Sequence, residues 1–249
     1  MSRDTEATDN SEGTLIHIDA NVGQVVEKLT DGLLEEAFGM VGEAFGMGKD
    51  WLREQRLRFL TDRLEGAAEM CREAGIDNPE KVALSTLAPW IEGASIEEDP
   101  ALHEMWESLL ANAGDPREEG NDSHRSFARL LKDIEAPERK VLEALYQIDS
   151  ETEETRGVVE VVGVYPGDEQ IHDAITRMGF APPSDDRLQL AKINLTRLGL
   201  CSRGGNMIMG GTGAFGGGSN PPEPQEGPST IHISKFGRAF YEACQPPEP

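Results

Sequence analysis

Five histidines, three cysteines and 46 acidic residues give this chain the raw material for metal, nucleophilic or acid–base chemistry, yet their spacing assembles none of it. His17, His103, His124, His172 and His232 share no metal-ligand interval. A zinc helix needs two histidines one turn apart beside a glutamate, and His103-Glu104 supplies only the first half. Cys71, Cys201 and Cys244 form no CxxC pair, and an odd count builds no disulfide framework, so free thiols in a reducing cytosol are expected. The Gly-Gly runs at 204–205, 210–211 and 216–218 lack the Gly-Lys-Ser/Thr that grips phosphate. A nucleophile elbow is missing as well. The densest carboxylate approach is Glu97-Glu98-Asp99. It reads either as a partner or metal site or as the acidic start of a helix, and the helix dipole alone suffices to explain it. The expectation is a non-enzymatic protein with no catalytic residues, no metal and no cofactor.

The elements that would position any such residues are mostly helical. Residues 91–116 contain a helix with both ends written in: Asp99 as N-cap, Pro100 at the first helical position and Gly114 as the stop. Leu102, Met105, Trp106, Leu109, Leu110 and Ala113 repeat at helical spacing, so one face has a core to enter. Upstream, Val22 to Leu34 reads as helical, and a helix is expected from Asp50 to about Ala74, ended by Gly75. Its Leu57, Leu60, Leu64, Ala67 and Cys71 form a seam that wants a partner helix, within the chain or from a second copy acting as a scaffold. Asn78-Pro79 predicts a further helix through Val82, Leu84 and Leu87, limited by Pro89, and Asp122 predicts another with Phe127, Leu130, Leu131 and Ile134. Residues 1–21 read as a disordered or extended tail and 22–136 as a helical bundle.

Residues 137–249 change character. A helix over Pro137–Ile148 precedes an acidic run, Asp149 to Glu154, expected as a solvated turn. Asp168 caps a short helix with Ile171, Ile175 and Met178. Ser184 opens another carrying Leu188, Leu190, Ile193, Leu195 and Leu198, closed by Gly199. Two short strands follow, at Leu200–Ser202 and Thr230–Ile233, separated by a Gly/Pro-rich insert over 203–229. A last helix begins at Ser234 and carries Phe236, Phe240 and Tyr241. The fold class expected is therefore mainly α: an N-terminal helical bundle followed by a winged-helix-like α/β C-terminal domain, with 203–229 as its wing.

Two surfaces are candidates for binding. Glu36-Ala-Phe-Gly-Met40 repeats as Glu43-Ala-Phe-Gly-Met47, so that Phe38 stacks over Phe45 and Gly39 over Gly46 two turns apart. Gly39, Gly42 and Gly46 each cost about 1 kcal/mol of helix stability relative to Ala, and Gly42-xxx-Gly46 permits close backbone approach. With Lys49, Arg53, Arg56 and Arg63 following along one side of the next helix, the segment could meet an anionic membrane surface. Tight packing in the bundle or in a self-associated protein, with the arginines paired to Glu54, Asp62 and Glu65, is the competing reading, and Glu36 and Glu43 oppose deep insertion. The second surface is the Ser184 helix, whose Arg187, Lys192 and Arg197 would contact nucleic acid if it lay in a groove. Asp185 and Asp186 at its leading end argue against that use.

Charge narrows the partners further. The 249 residues carry a formal net charge of −23, concentrated in residues 1–167, which hold 16 basic and 37 acidic side chains. An excess of this size repels phosphate backbones, so nucleic acid is disfavoured and a protein partner or self-association is expected. The N-terminus is polar and acidic, unlike a signal peptide, and no apolar run is long enough to span a membrane. A cytoplasmic protein, at most peripheral to the inner membrane, is expected.

Ile91-Glu-Gly-Ala-Ser-Ile-Glu-Glu-Asp-Pro100 and Trp106-Glu-Ser-Leu-Leu-Ala-Asn-Ala113, with Leu198-Gly-Leu200 and Ile233-Ser-Lys-Phe-Gly-Arg-Ala-Phe-Tyr-Glu-Ala-Cys244, carry a resemblance to the Abi-alpha (abortive infection alpha) family over roughly residues 30–244. The central block is the specific part; the C-terminal block is shared by many winged-helix proteins. The resemblance implies a role in bacterial defence against phage rather than a reaction, and it brings no catalytic residues with it.

Overall fold

The computed structural model describes residues 24–28, 50–117, 124–155, 165–204 and 230–249. Its first long helix, α1, spans Asp50–Glu73. Gly75 terminates it at φ +69°, with Ile76 N donating to Cys71 O and Gly75 N to Arg72 O, the paired bonds of a Schellman stop. The Leu60, Leu64, Ala67 and Cys71 seam is buried. α1 packs chiefly on α3 (Pro100–Ala113) of the same chain, which supplies that seam with a partner helix. Val26 is buried in the same core, and Lys28 Nζ donates to Asn78 Oδ1 (2.9 Å), tying residues 24–28 to the turn after α1.

α3 begins and ends where its end signals place it. Asp99 Oδ1 accepts from Ala101 N (2.8 Å), Pro100 occupies the first helical position, and Leu102, Met105, Trp106, Leu109, Leu110 and Ala113 are all buried. α2 (Leu84–Ala94) starts later than Asn78-Pro79 predicts. The intervening residues are tied elsewhere: Glu80 N donates to Gly114 O at the end of α3 (2.7 Å), which draws this stretch away from helix. Pro89 sits inside α2 and does not end it. α4 (His124–Leu131) packs on α2 and buries Phe127 and Leu131.

α5 (Ala136–Thr155) runs through the acidic stretch expected as a turn. Carboxylates are unfavourable at a helix C-terminus, but here they meet cations from elsewhere: Asp149 pairs with Arg238, and Glu151 with Arg177 at 3.0 Å. α6 (Asp168–Arg177) and α7 (Asp185–Arg197) both pack on α5. Gly167 is the N-cap of α6, so Asp168 is its first helical residue and its carboxylate is free for another task. Gly199, at φ +76°, stops the last turn of α7 as expected.

Strands β1 (Cys201–Arg203) and β2 (Ile231–Ile233) pair antiparallel in the register Cys201↔Ile233, Ser202↔His232 and Arg203↔Ile231. β1 lies on α7 and β2 on α5. Ser234 then caps α8 (Lys235–Ala243), accepting from Gly237 N (2.9 Å) while its own hydroxyl donates to Gly199 O (2.7 Å). Gly237 is required there, since a Cβ would fall 1.9 Å from Leu200 O.

The described residues are mainly helical, with one two-stranded sheet. α8 packs on α3, α4 and α5, and the Asn112 amide donates to Ala243 O (3.0 Å) and Gln245 O (2.8 Å). One hydrophobic cluster therefore runs from Val26 to Cys244, across the 136/137 boundary expected between domains.

Candidate functional site

Several of the chemistry-bearing side chains make structural contacts. Glu97 Oε1 accepts from Asp99 N (2.9 Å), so the acidic approach to α3 caps its own backbone, and Trp106 is fully buried. His103 Nε2 lies 3.2 Å from Glu97 O, and His124 meets the Phe127 ring edge-on. Among the described residues no three His, Cys, Asp or Glu side chains converge as a metal site. All three cysteines are buried; burial pushes the Cys71 thiol up to about 11, that of Cys201 to about 12 and that of Cys244 higher still. Thiols held that far from thiolate are poor nucleophiles.

Between α1 and α3 a charged pair is sunk into the packing. Arg63 Nη1 and Glu107 Oε1 are 3.0 Å apart, both side chains mostly buried. Burial outweighs Arg63 and holds the Glu107 carboxyl above the usual carboxylate range. Its carboxylate occupies the space where a Cβ on Gly66 would lie, 2.3 Å from Glu107 Cδ. Arg63 thus pairs across helices, not with Asp62 or Glu65 on its own helix. Arg56 is buried on the same helix, with Glu92 of α2 acting on it electrostatically. A buried guanidinium is not presented to lipid headgroups. Arg53 lies on α1 with its side chain outside the described residues, and Phe38, Gly39, Gly42, Phe45 and Gly46 lie outside the described residues altogether.

α7 separates its residues sharply into two faces. Leu188, Ala191, Lys192 and Leu195 are buried against α5, while Leu190 is 65% and Ile193 53% exposed. The sequence pattern grouped Leu190 and Ile193 with the core leucines because apolar residues occur on both sides of this helix. Lys192 takes the inward position instead. Its Nζ donates to Asp168 Oδ1 at 2.7 Å, and Gln189 Nε2 donates to the other oxygen, Oδ2, at 2.7 Å. With 2% of its side chain exposed, Lys192 presents no charge to a phosphate. Arg197 is on the surface, forked onto Asn194 Oδ1 (3.0 and 2.8 Å), and Asn194 reaches Asp133 O (3.1 Å). Arg187 is exposed one residue after Asp186. Of the three basic residues proposed for a groove, two remain outside, and the outward face between them is apolar.

Helical spacing makes that face a stripe. Asp186, Leu190, Ile193 and Arg197 stand at intervals of four, three and four, within about 60° of one another at 3.6 residues per turn. Sequence reasoning had the spacing in hand but no means of telling which side faced α5.

The described fold is that of a mainly helical protein with a short two-stranded ribbon and no described helix long and apolar enough to cross a membrane. The chain belongs to the abortive infection alpha family, whose model matches residues 52–244. The family's name links it in general terms to abortive infection, a defence against phage. No curated protein and no solved structure matches the chain.

Proposed function

We propose that this protein is a non-enzymatic component of abortive infection that acts by binding another protein surface, and that the outward face of α7 is the contact. The observation that carries the reading is the exposed Leu190–Ile193 pair on a helix whose inner face is already satisfied. Large apolar side chains in a row on an ordered helix are a protein-docking feature. Family membership supplies the biological setting. The test is a plaque assay in cells expressing the chain, with survival of infected cells followed alongside. Protection with early death of infected cells is expected for the wild type, and its loss in Leu190→Asp with an unchanged circular dichroism spectrum. Full protection by Leu190→Asp removes α7 from the mechanism.

One observation favours a second reading. Three helices followed by a two-stranded ribbon, in the order α5, α6, α7, β1, β2, are the ingredients of a winged helix, in which α7 would take the recognition position. That arrangement supports a DNA-binding regulator in topology. Asp185 and Asp186 at the leading end of α7, the inward Lys192 and the net charge of −23 weigh against it. Salt-sensitive retardation of a DNA duplex, weakened by Arg187→Glu and Arg197→Glu, would establish it; no retardation at low salt ends it.

A further inference from the structure

The stripe on α7 is palindromic in chemistry. Asp186 and Arg197 stand at its two ends, and Leu190 and Ile193 stand between them, each pair centred on the same point of the helix. Two copies of α7 laid antiparallel about a two-fold axis through that point would set Asp186 of one against Arg197 of the other at both ends. Leu190 of each copy would cover Ile193 of its mate. Such an isologous arrangement is what a two-fold dimer requires: one patch that complements itself.

We propose that α7 pairs with α7 of a second copy of this chain, making the protein a two-fold dimer through Asp186, Leu190, Ile193 and Arg197. The proposal rests on the reading of α7 as a protein-facing surface and names the partner. Charge complementarity is its warrant. A stripe of identical ends would repel a second copy, whereas opposite charges at opposite ends attract only in the antiparallel sense. Arg197 is already held outward by Asn194, so its guanidinium is in place before contact. Four side chains per copy are far fewer than the roughly 20–30 residues a side of a standard stable interface, so the dimer is expected to dissociate on dilution. Nucleic acid fits the same face poorly, because its centre is apolar and its leading end acidic.

Sedimentation velocity of the full chain over a wide concentration range tests it, with four surface variants that leave the buried face of α7 untouched. The wild type should shift from monomer to dimer with concentration. Leu190→Asp should stay monomeric. Asp186→Arg and Arg197→Asp should each weaken the dimer at least about tenfold, and the double variant Asp186→Arg/Arg197→Asp should restore it, since only an antiparallel pair exchanges those two charges. A monomer at every concentration, even one whose stripe is covered by another segment of its own chain, overturns the proposal. So does a dimer indifferent to Leu190→Asp, or a double variant as weak as the singles. The plaque assay on Leu190→Asp remains a separate readout: loss of protection by this variant, when the wild type itself is monomeric at every concentration, refutes the dimer and leaves the docking reading standing.

Discussion

Lys192 and Asp168 share one bond, but breaking it from the two ends should have unequal consequences. The Lys192 side chain is 2% exposed and that of Asp168 31%. Asp168→Ala leaves an ammonium inside the fold without its counter-charge, a class of change that costs about 3–5 kcal/mol. Lys192→Met keeps most of the aliphatic stem packed against the core, and the orphaned carboxylate retains Gln189 at 2.7 Å, partial access to water and a favourable place in the first turn of α6. Its cost should be about 1 kcal/mol. The double variant Asp168→Ala/Lys192→Met removes both charges and should recover about 2 kcal/mol or more relative to Asp168→Ala alone. Urea denaturation followed by circular dichroism gives all three values. In thermal melts Asp168→Ala should lower Tm by about 10 °C, at about 2–4 °C per kcal/mol for a chain of this size. Equal losses from the two single variants, or a double variant less stable than Asp168→Ala, would refute the assignment of Lys192 as a buried charge held by one partner.

Trp90 and Trp106 are both buried, but only Trp90 has its indole satisfied, donating Nε1 to Trp106 O at 2.7 Å, while Trp106 Nε1 has no hydrogen-bond partner. Trp90→Phe should therefore cost about 1 kcal/mol more than Trp106→Phe in denaturant unfolding, because both lose ring volume but only Trp90→Phe gives up a hydrogen bond that is made. The three thiols should show no reaction with an aromatic disulfide reagent at pH 8 while the protein is folded, and three equivalents once it is unfolded in guanidinium. Rapid labelling of even one thiol in the native state contradicts the burial that raises Cys71 and Cys201 to about 11 and 12.

The legible parts of the chain were those whose signal and whose partner lie within a turn of each other. Asp99, Pro100 and Gly114 bound α3 through backbone groups a few residues away, and Gly75, Gly199 and Ser234 act over the same short range. The membership of the chain in its family was legible for the same reason, being carried by contiguous blocks around Trp106 and before Cys244. Where sequence reading departed from the structure, a distant group intervened. Glu80 is drawn out of a helix by Gly114, and the acidic end of α5 stays helical because Arg177 and Arg238 stand beside it.

Composition and local spacing by themselves determined a mainly helical protein, acidic toward its front, with these end signals. Tertiary structure alone decided which side of α7 is the surface. Leu188, Leu190, Ala191, Ile193 and Leu195 give both sides an apolar claim on the core, and periodicity cannot choose between them. In the fold Leu188, Ala191 and Leu195 enter the core, Lys192 reaches Asp168 on α6 from the same side, and Leu190 and Ile193 are left outside.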